Sequence, residues 1–180
     1  MAYPELERIP GDVLEAARRV RLACFDVDGV LTDGTLWIGP EGEVFKPFNI
    51  HDGHGVKMLQ KEGIRTAILS GRKSGAVTRR AAELAMDPVI QGADDKLAAF
   101  RGLVAQCGVK EEECAFMGDD LPDLAVLRAC GFAVAPANAV AEVRSACHYV
   151  TLASGGHGAV RELCELVLRA RGQLVAARAV

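Results

Sequence analysis

A chain of 180 residues with a formal net charge of −3, half of it hydrophobic, is long enough to bury one core and carries no basic run suited to nucleic acid or an anionic membrane. No apolar stretch approaches the roughly 20 residues of a membrane span, and the N-terminus is acidic where a secretory signal would be basic and then apolar, so a cytoplasmic protein with a small-molecule partner is expected. The six cysteines (Cys24, Cys107, Cys114, Cys130, Cys147 and Cys164) are scattered without a C-x-x-C pair and read as reduced core residues.

Helical spacing predicts a short helix over 12–20, which delivers the chain to a buried strand over 21–25. That strand ends abruptly in Asp26 and Asp28, with Gly29 and Gly34 bracketing a sharp turn. Residues 35–48 hold two extended runs about Gly-Pro-Glu-Gly, a hairpin signal. Leu36, Trp37, Ile38, Val44, Phe45 and Phe48 are many apolar side chains for a lone hairpin, so a subunit interface is expected there. A helix is expected from Asp52 to a C-cap at Gly63, then a strand over 64–70, a helix over 74–85 and a strand over 88–91. A helix over 94–107, a strand over 113–117, a helix over 121–129 and a strand over 131–135 follow. The pattern closes with a helix over 139–145, a short strand over 148–150, a helix over 158–170, and a tail over 173–180 expected to fray.

Strands alternating with helices imply right-handed crossovers and an α/β fold: a Rossmann-like, three-layer parallel sheet with helices on both faces, in a single domain over 1–180. Ser70 lies 42 positions after Asp28, and Lys96 lies 26 after Ser70. Those intervals are filled by the predicted elements, so no cap domain is expected and the hairpin protrudes alone.

In an open parallel sheet, ligands bind beyond the carboxyl ends of the strands, which is where the chemistry-bearing residues of this chain gather. Asp26 and Asp28 end the first strand, and two acids there are costly unless a cation or a reaction uses them. Ser70-Gly71-Arg72 offers a hydroxyl and backbone N–H groups for a phosphate. Lys96 is a compact cation able to neutralise a phosphoryl oxygen. Asp119, Asp120 and Asp123 add carboxylates suited to a hard cation such as Mg²⁺. His51 and His54 flank Asp52 without metal-ligand spacing and read as loop histidines.

These four strand-end motifs, in this order, resemble those of the haloacid-dehalogenase-like phosphatases. Within them the chain resembles the capless branch that acts on sugar-acid phosphates, over roughly residues 10–172. That resemblance rests on residues 26–34, 48–53, 70–72, 91–92, 95–96, 118–120, 149–151 and 155–162. It implies Asp26 as nucleophile, forming an aspartyl phosphate, and Asp28 as the acid and then the base. Ser70 and Lys96 would hold the phosphoryl group, and Mg²⁺ would sit on Asp26, the Asp28 carbonyl and Asp119. Asp120 and Asp123 would orient Lys96, cap the next helix or ligate.

Asn49, Asp52, Gly53, Lys57, Arg72 and Arg80 would contact substrate. For four of these there is a plainer reading: a turn residue for Asn49, a helix N-cap for Asp52 and solvated helix positions for Lys57 and Arg80. Arg72 suits the carboxylate of an eight-carbon sugar acid from lipopolysaccharide precursor synthesis, where the branch acting on nine-carbon sugar acids has Glu. The alternatives are a nine-carbon substrate, transfer of phosphate to another hydroxyl, or a noncatalytic subunit that keeps the fold. A homotetramer with neighbour-completed sites is implied. Ser70 replaces the commoner Thr, and His157 stands where Arg or Lys is usual. The Gly155-Gly-His-Gly158 turn, at a helix start, is an anion site, a segment that reaches into a neighbour's site, or a plain tight turn.

Overall fold

The computed structural model describes residues 6–174; the expected fraying tail lies, from residue 175 onward, outside the described residues. Its centre is β1 (Leu22–Phe25), fully buried along its length. Leu22 and Cys24 pack on one face of the sheet, Ala23 and Phe25 on the other, as a strand covered on both sides requires. β1 pairs in parallel with β4 (Arg65–Ser70) and β6 (Cys114–Met117). β5 (Val89–Gln91) extends the sheet beyond β4; β7 (Phe132–Ala135) and β8 (Tyr149–Val150) extend it beyond β6, giving the order β5-β4-β1-β6-β7-β8. The chain builds outward on one side of β1 and then crosses to the other. The strand ends beside β1 therefore form the crevice in which a doubly wound sheet binds its ligand.

Each face has its own core. Helices α1 (Gly11–Arg19), α2 (Ile50–Lys61), α3 (Gly75–Leu84) and α7 (Ala159–Ala170) cover Phe25, Ile68, Phe132 and Val134. On the opposite face, α4 (Lys96–Cys107), α5 (Leu124–Ala129) and α6 (Ala141–Ala146) cover Leu22, Leu69 and Phe116. Phe116 meets Phe100 edge to face, with centroids 6.2 Å apart. All six cysteines are free, and all but the half-buried Cys147 are buried. Burial pushes the Cys114 and Cys130 thiols up to about 12, so these cysteines serve packing.

Three expectations need correction. α2 starts at Ile50 rather than Asp52, because Asn49 accepts the His51 N–H at 2.8 Å and is itself the N-cap. His51 and His54 are consequently exposed residues of that helix, not of a loop. The segment over 121–129 divides into a 3₁₀ turn, Leu121–Asp123, and α5, since Asp120 and Asp123 cap the turn and Pro122 stands within it.

The hairpin forms as expected from β2 (Trp37–Gly39) and β3 (Gly42–Phe45), paired antiparallel and apart from the main sheet. Trp37 is 54% and Phe45 66% exposed. Phe48, by contrast, packs against the first core.

Phe116 is fully buried at the middle of the sheet, so Phe116→Ala should cost about 3–5 kcal/mol of stability. A drop of that size in the urea-unfolding free energy is the expected result.

Candidate active site

The ends of β1, β4 and β6 open into a cleft of ≈ 710 Å³ whose walls include Asp26, Asp28, Ser70, Gly71, Arg72, Lys96, Asp119, Asp120 and Asp123. Lys96 begins α4, where the Asp95 carboxylate caps the helix by accepting the Ala98 N–H at 3.0 Å. Its ammonium lies 3.1 Å from Asp26 Oδ1 and donates to Asp123 Oδ1 at 2.7 Å. Burial alone would pull the Lys96 pKa down, but the two carboxylates outweigh it and raise it. The other Asp123 oxygen accepts the N–H groups of Asp119 and Asp120, at 3.1 and 3.3 Å. Asp123 thus fixes both the cation and the loop beyond β6, while Asp120 caps the turn through the Leu121 N–H at 2.8 Å.

Asp26, Asp119 and Asp123 each bring a carboxylate oxygen within 4.8 Å of the others. Asp119 Oδ1 is buried with no hydrogen-bond partner, a costly state for a carboxylate and one that a cation would relieve. A side chain at Gly29 would come within 2.0 Å of Asp119 Oδ2, and Gly29 has φ +87, so only glycine leaves room for that carboxylate. Burial, followed by the Asp123 charge, pushes both Asp26 and Asp119 up to about 7 against the pull of Lys96. Hard oxygen donors crowded in this way suit Mg²⁺.

Ser70, at the buried end of β4, accepts the Arg72 N–H through its hydroxyl at 3.3 Å. Arg72 is the one expected substrate contact that lines the cleft. Its Nε lies 3.5 Å from Asp28 Oδ2, and Asp28 Oδ1 accepts a hydrogen bond from Lys46. Glu43 lies 3.1 Å from Lys46 Nζ and accepts from the Ser74 hydroxyl at 2.6 Å. Sequence reasoning missed Lys46 and Glu43; the available signal was an acid and a base three residues apart, beyond the turn of a hairpin rich in apolar residues. It also missed Asn138, which donates to the Gly29 carbonyl at 3.2 Å and accepts the Gly155 N–H at 2.7 Å.

The other expected contacts stand outside this cleft. Asn49 donates to the Gly156 carbonyl at 3.1 Å. Asp52 is buried and accepts the Gly158 and Arg161 N–H groups, so it caps α7 rather than its own helix. Burial nonetheless raises its pKa. Gly53 is covered by the Arg80 guanidinium, which pairs with Glu83 at 3.3 Å, and Lys57 is half-buried. The Gly155–Gly158 stretch corrects the anion-site alternative: Asp52 already occupies N–H groups at the start of α7. A side chain at Gly155 would lie 1.8 Å from the Gly29 carbonyl, so this tight turn is pressed against the Asp26–Asp28 segment.

A parallel sheet with this carboxylate and lysine arrangement at its strand ends defines a haloacid dehalogenase-like hydrolase, the family that residues 86–163 match. The chain is 40% identical to the 3-deoxy-D-manno-octulosonate 8-phosphate phosphatase KdsC of Yersinia pestis, over 92% of this chain and 89% of that protein. It is also similar to a crystal structure of 3-deoxy-D-manno-octulosonate 8-phosphate phosphatase from Moraxella catarrhalis, in complex with a magnesium ion, a phosphate ion and a KDO molecule. That similarity has a TM-score of 0.87 and 43% identity, covering 89% of this chain and 92% of that one. A probable YrbI family phosphatase from Pseudomonas syringae pv. phaseolica 1448a gives a TM-score of 0.89 and 47% identity, covering 92% and 94% of the two chains. The chain belongs to the 3-deoxy-D-manno-octulosonate 8-phosphate phosphatase family.

Carboxylates whose pKa rises on folding hold their protons more tightly in the folded state. The stability that Asp26 and Asp119 contribute in this way is present below about pH 4 and is lost as pH rises through about 7. Mg²⁺ must displace those protons below pH 7 and meets free carboxylates above it. The rise in Tm on adding Mg²⁺ should therefore be larger at pH 8 than at pH 5.5. Asp119→Asn should flatten that difference, as read by thermal unfolding with and without the ion.

Proposed function

We propose that this chain is a Mg²⁺-dependent phosphomonoesterase that hydrolyses 3-deoxy-D-manno-octulosonate 8-phosphate to the free sugar acid and phosphate, in lipopolysaccharide precursor synthesis. The observation that carries the reading is the Asp26 carboxylate at the end of the central strand, paired with Lys96 and followed two residues later by Asp28 on the same cleft. Asp26 attacks phosphorus in line; an Asp26–phosphorus bond forms as the bond from phosphorus to the sugar oxygen breaks. Asp28 gives its proton to the departing oxygen, then takes one from the water that opens the aspartyl phosphate. Ser70 and Lys96 hold the transferring group, whose charge needs most stabilisation at the transition state. Bound by Asp26, the Asp28 carbonyl and Asp119, Mg²⁺ supplies the neutralisation that lets an anionic nucleophile meet an anionic phosphate. Asp123 and Asp120 act as supports, since their oxygens are engaged by Lys96 and by the loop.

Arg72, 50% exposed at the cleft, suits the substrate carboxylate through a two-pronged contact. An arginine at this position, where the similar branch acting on nine-carbon sugar acids has Glu, favours the eight-carbon sugar acid over the nine-carbon alternative. In this reading the chain acts as one capless domain, in the cytoplasm, as a homotetramer. The exposed apolar side chains of the hairpin support an interface between copies. Asn49, Asp52, Gly53, Lys57 and Arg80 lie on or beside α2 and α3, away from the cleft of their own subunit. They are assigned to substrate only through such an assembly, with Asp52 acting through the backbone that it holds. Among the described residues, no helix is long and apolar enough to cross a membrane.

The test is phosphate release with Mg²⁺ from 3-deoxy-D-manno-octulosonate 8-phosphate, a nine-carbon sugar-acid 9-phosphate and a hexose 6-phosphate. A kcat/KM preference of at least 100-fold for the first is expected, with Asp26→Asn folded but inactive on all three. Comparable slow turnover of all three would remove the substrate assignment and leave the chemistry. Sedimentation of the wild-type protein should give a tetramer, and Trp37→Glu with Phe45→Glu should dissociate it.

A further inference from the structure

Asp28 is held from two sides that differ in kind. Its Oδ1 accepts from Lys46, whose side chain is 2% exposed and is not part of the cleft wall. Its Oδ2 faces Arg72, which is half exposed and does line the cleft. Lys46 is itself fixed: Glu43 lies 3.1 Å from its ammonium, and Glu43 is held by the Ser74 hydroxyl at the start of α3. Three segments therefore converge on the back of one carboxyl group. They are the turn after β1, the hairpin strand β3 with the residue following it, and the start of α3.

A buried ammonium held by two carboxylates would be expensive to place there without a use. Packing does not supply one, because β3 lies on a largely exposed hairpin with few core contacts of its own. The geometry points to Lys46 as a positioning residue for the leaving-group step: it pins Asp28 Oδ1 so that Oδ2 is the oxygen that faces the bond being broken. This rests on the reading of Asp28 as acid and base. When Arg72 turns to the substrate's carboxylate, Oδ2 is released toward the cleft while Oδ1 stays anchored. The hairpin then has a task in its own subunit, separate from any contact between copies.

An acid that protonates the leaving group matters for an alkyl phosphate, whose alkoxide is a poor leaving group, and little for p-nitrophenyl phosphate, whose aryl oxygen departs unaided. The ratio kcat/KM reports only the steps through departure of that group, so comparing the two substrates isolates the acid from later hydrolysis. General acid catalysis contributes typically about 10²–10⁴-fold, and loss of positioning should forfeit part of it. Lys46→Met should lower kcat/KM for the sugar-acid phosphate at least tenfold more than for p-nitrophenyl phosphate. Lys46→Arg should recover part of that difference. Inhibition by the free sugar acid, which needs no proton transfer, should weaken less than threefold.

Equal losses on both substrates would make Lys46 a merely structural residue, and no loss would make it idle; either overturns the proposal. Product inhibition weakened in step with kcat/KM would make it a sugar-binding group and would overturn it as well. Asp28→Asn, measured alongside, separates the two levels. If that variant lowers both substrates equally, the acid reading of Asp28 fails and takes this proposal with it; if it is selective and Lys46→Met is not, only the present proposal fails. Sedimentation and thermal unfolding check that each variant is assembled and folded, and Lys46→Gln replaces Lys46→Met in the same comparison should the latter not fold.

Discussion

The ammonium of Lys96, buried between Asp26 and Asp123, is the contact on which the rest of this site depends. One cation among three neighbouring carboxylates leaves a negative surplus, and burial makes that surplus expensive. The protein answers by spending both Asp123 oxygens on fixed donors, Lys96 on one side and the Asp119 and Asp120 amides on the other. What remains unanswered is gathered on Asp26 and Asp119. A divalent cation completes the balance, just beyond the ends of β1 and β6, whose parallel pairing brings these residues together.

Much of the architecture was legible because the same residues set local structure and chemistry. Continuous apolar runs announced the strands of a doubly covered sheet, and the polar residues that interrupt them mark where the cleft begins. The α2 boundary was misread because Asn49 and Asp52 are both good capping residues, and sequence gives no sign of which helix a cap serves. Asp52 caps α7, more than a hundred positions away in the chain. Lys46 and Glu43 were hidden for a related reason. On a hairpin apart from the main sheet, alternation tells which residues share a face but not what that face meets. Asn138 carried no signal, since its two bonds join backbone groups whose proximity arises only when the fold closes.

The hairpin carries two kinds of side chain. Trp37, Ile38 and Phe45 are exposed apolar groups, while Glu43 and Lys46 turn inward to Ser74 and Asp28. An element marginal in isolation is thereby tied at its base by charge and left open along its flank. Assembly and catalysis would draw on the same short ribbon, so a substitution among the apolar residues lies within a few positions of the charged ones.

The close approach of Gly155 to the Gly29 carbonyl ties the turn that bears the first two acids to the segment leading into α7, whose start Asp52 caps from α2. During synthesis the N-terminal strand emerges first, but the wall that steadies its acids is encoded some 130 residues later. A ribosome-bound chain lacking α7 would therefore carry both acids without the packing that orients them. Competence is gained only once α7 has emerged, and a product terminated before it would be a sheet with an unfinished rim.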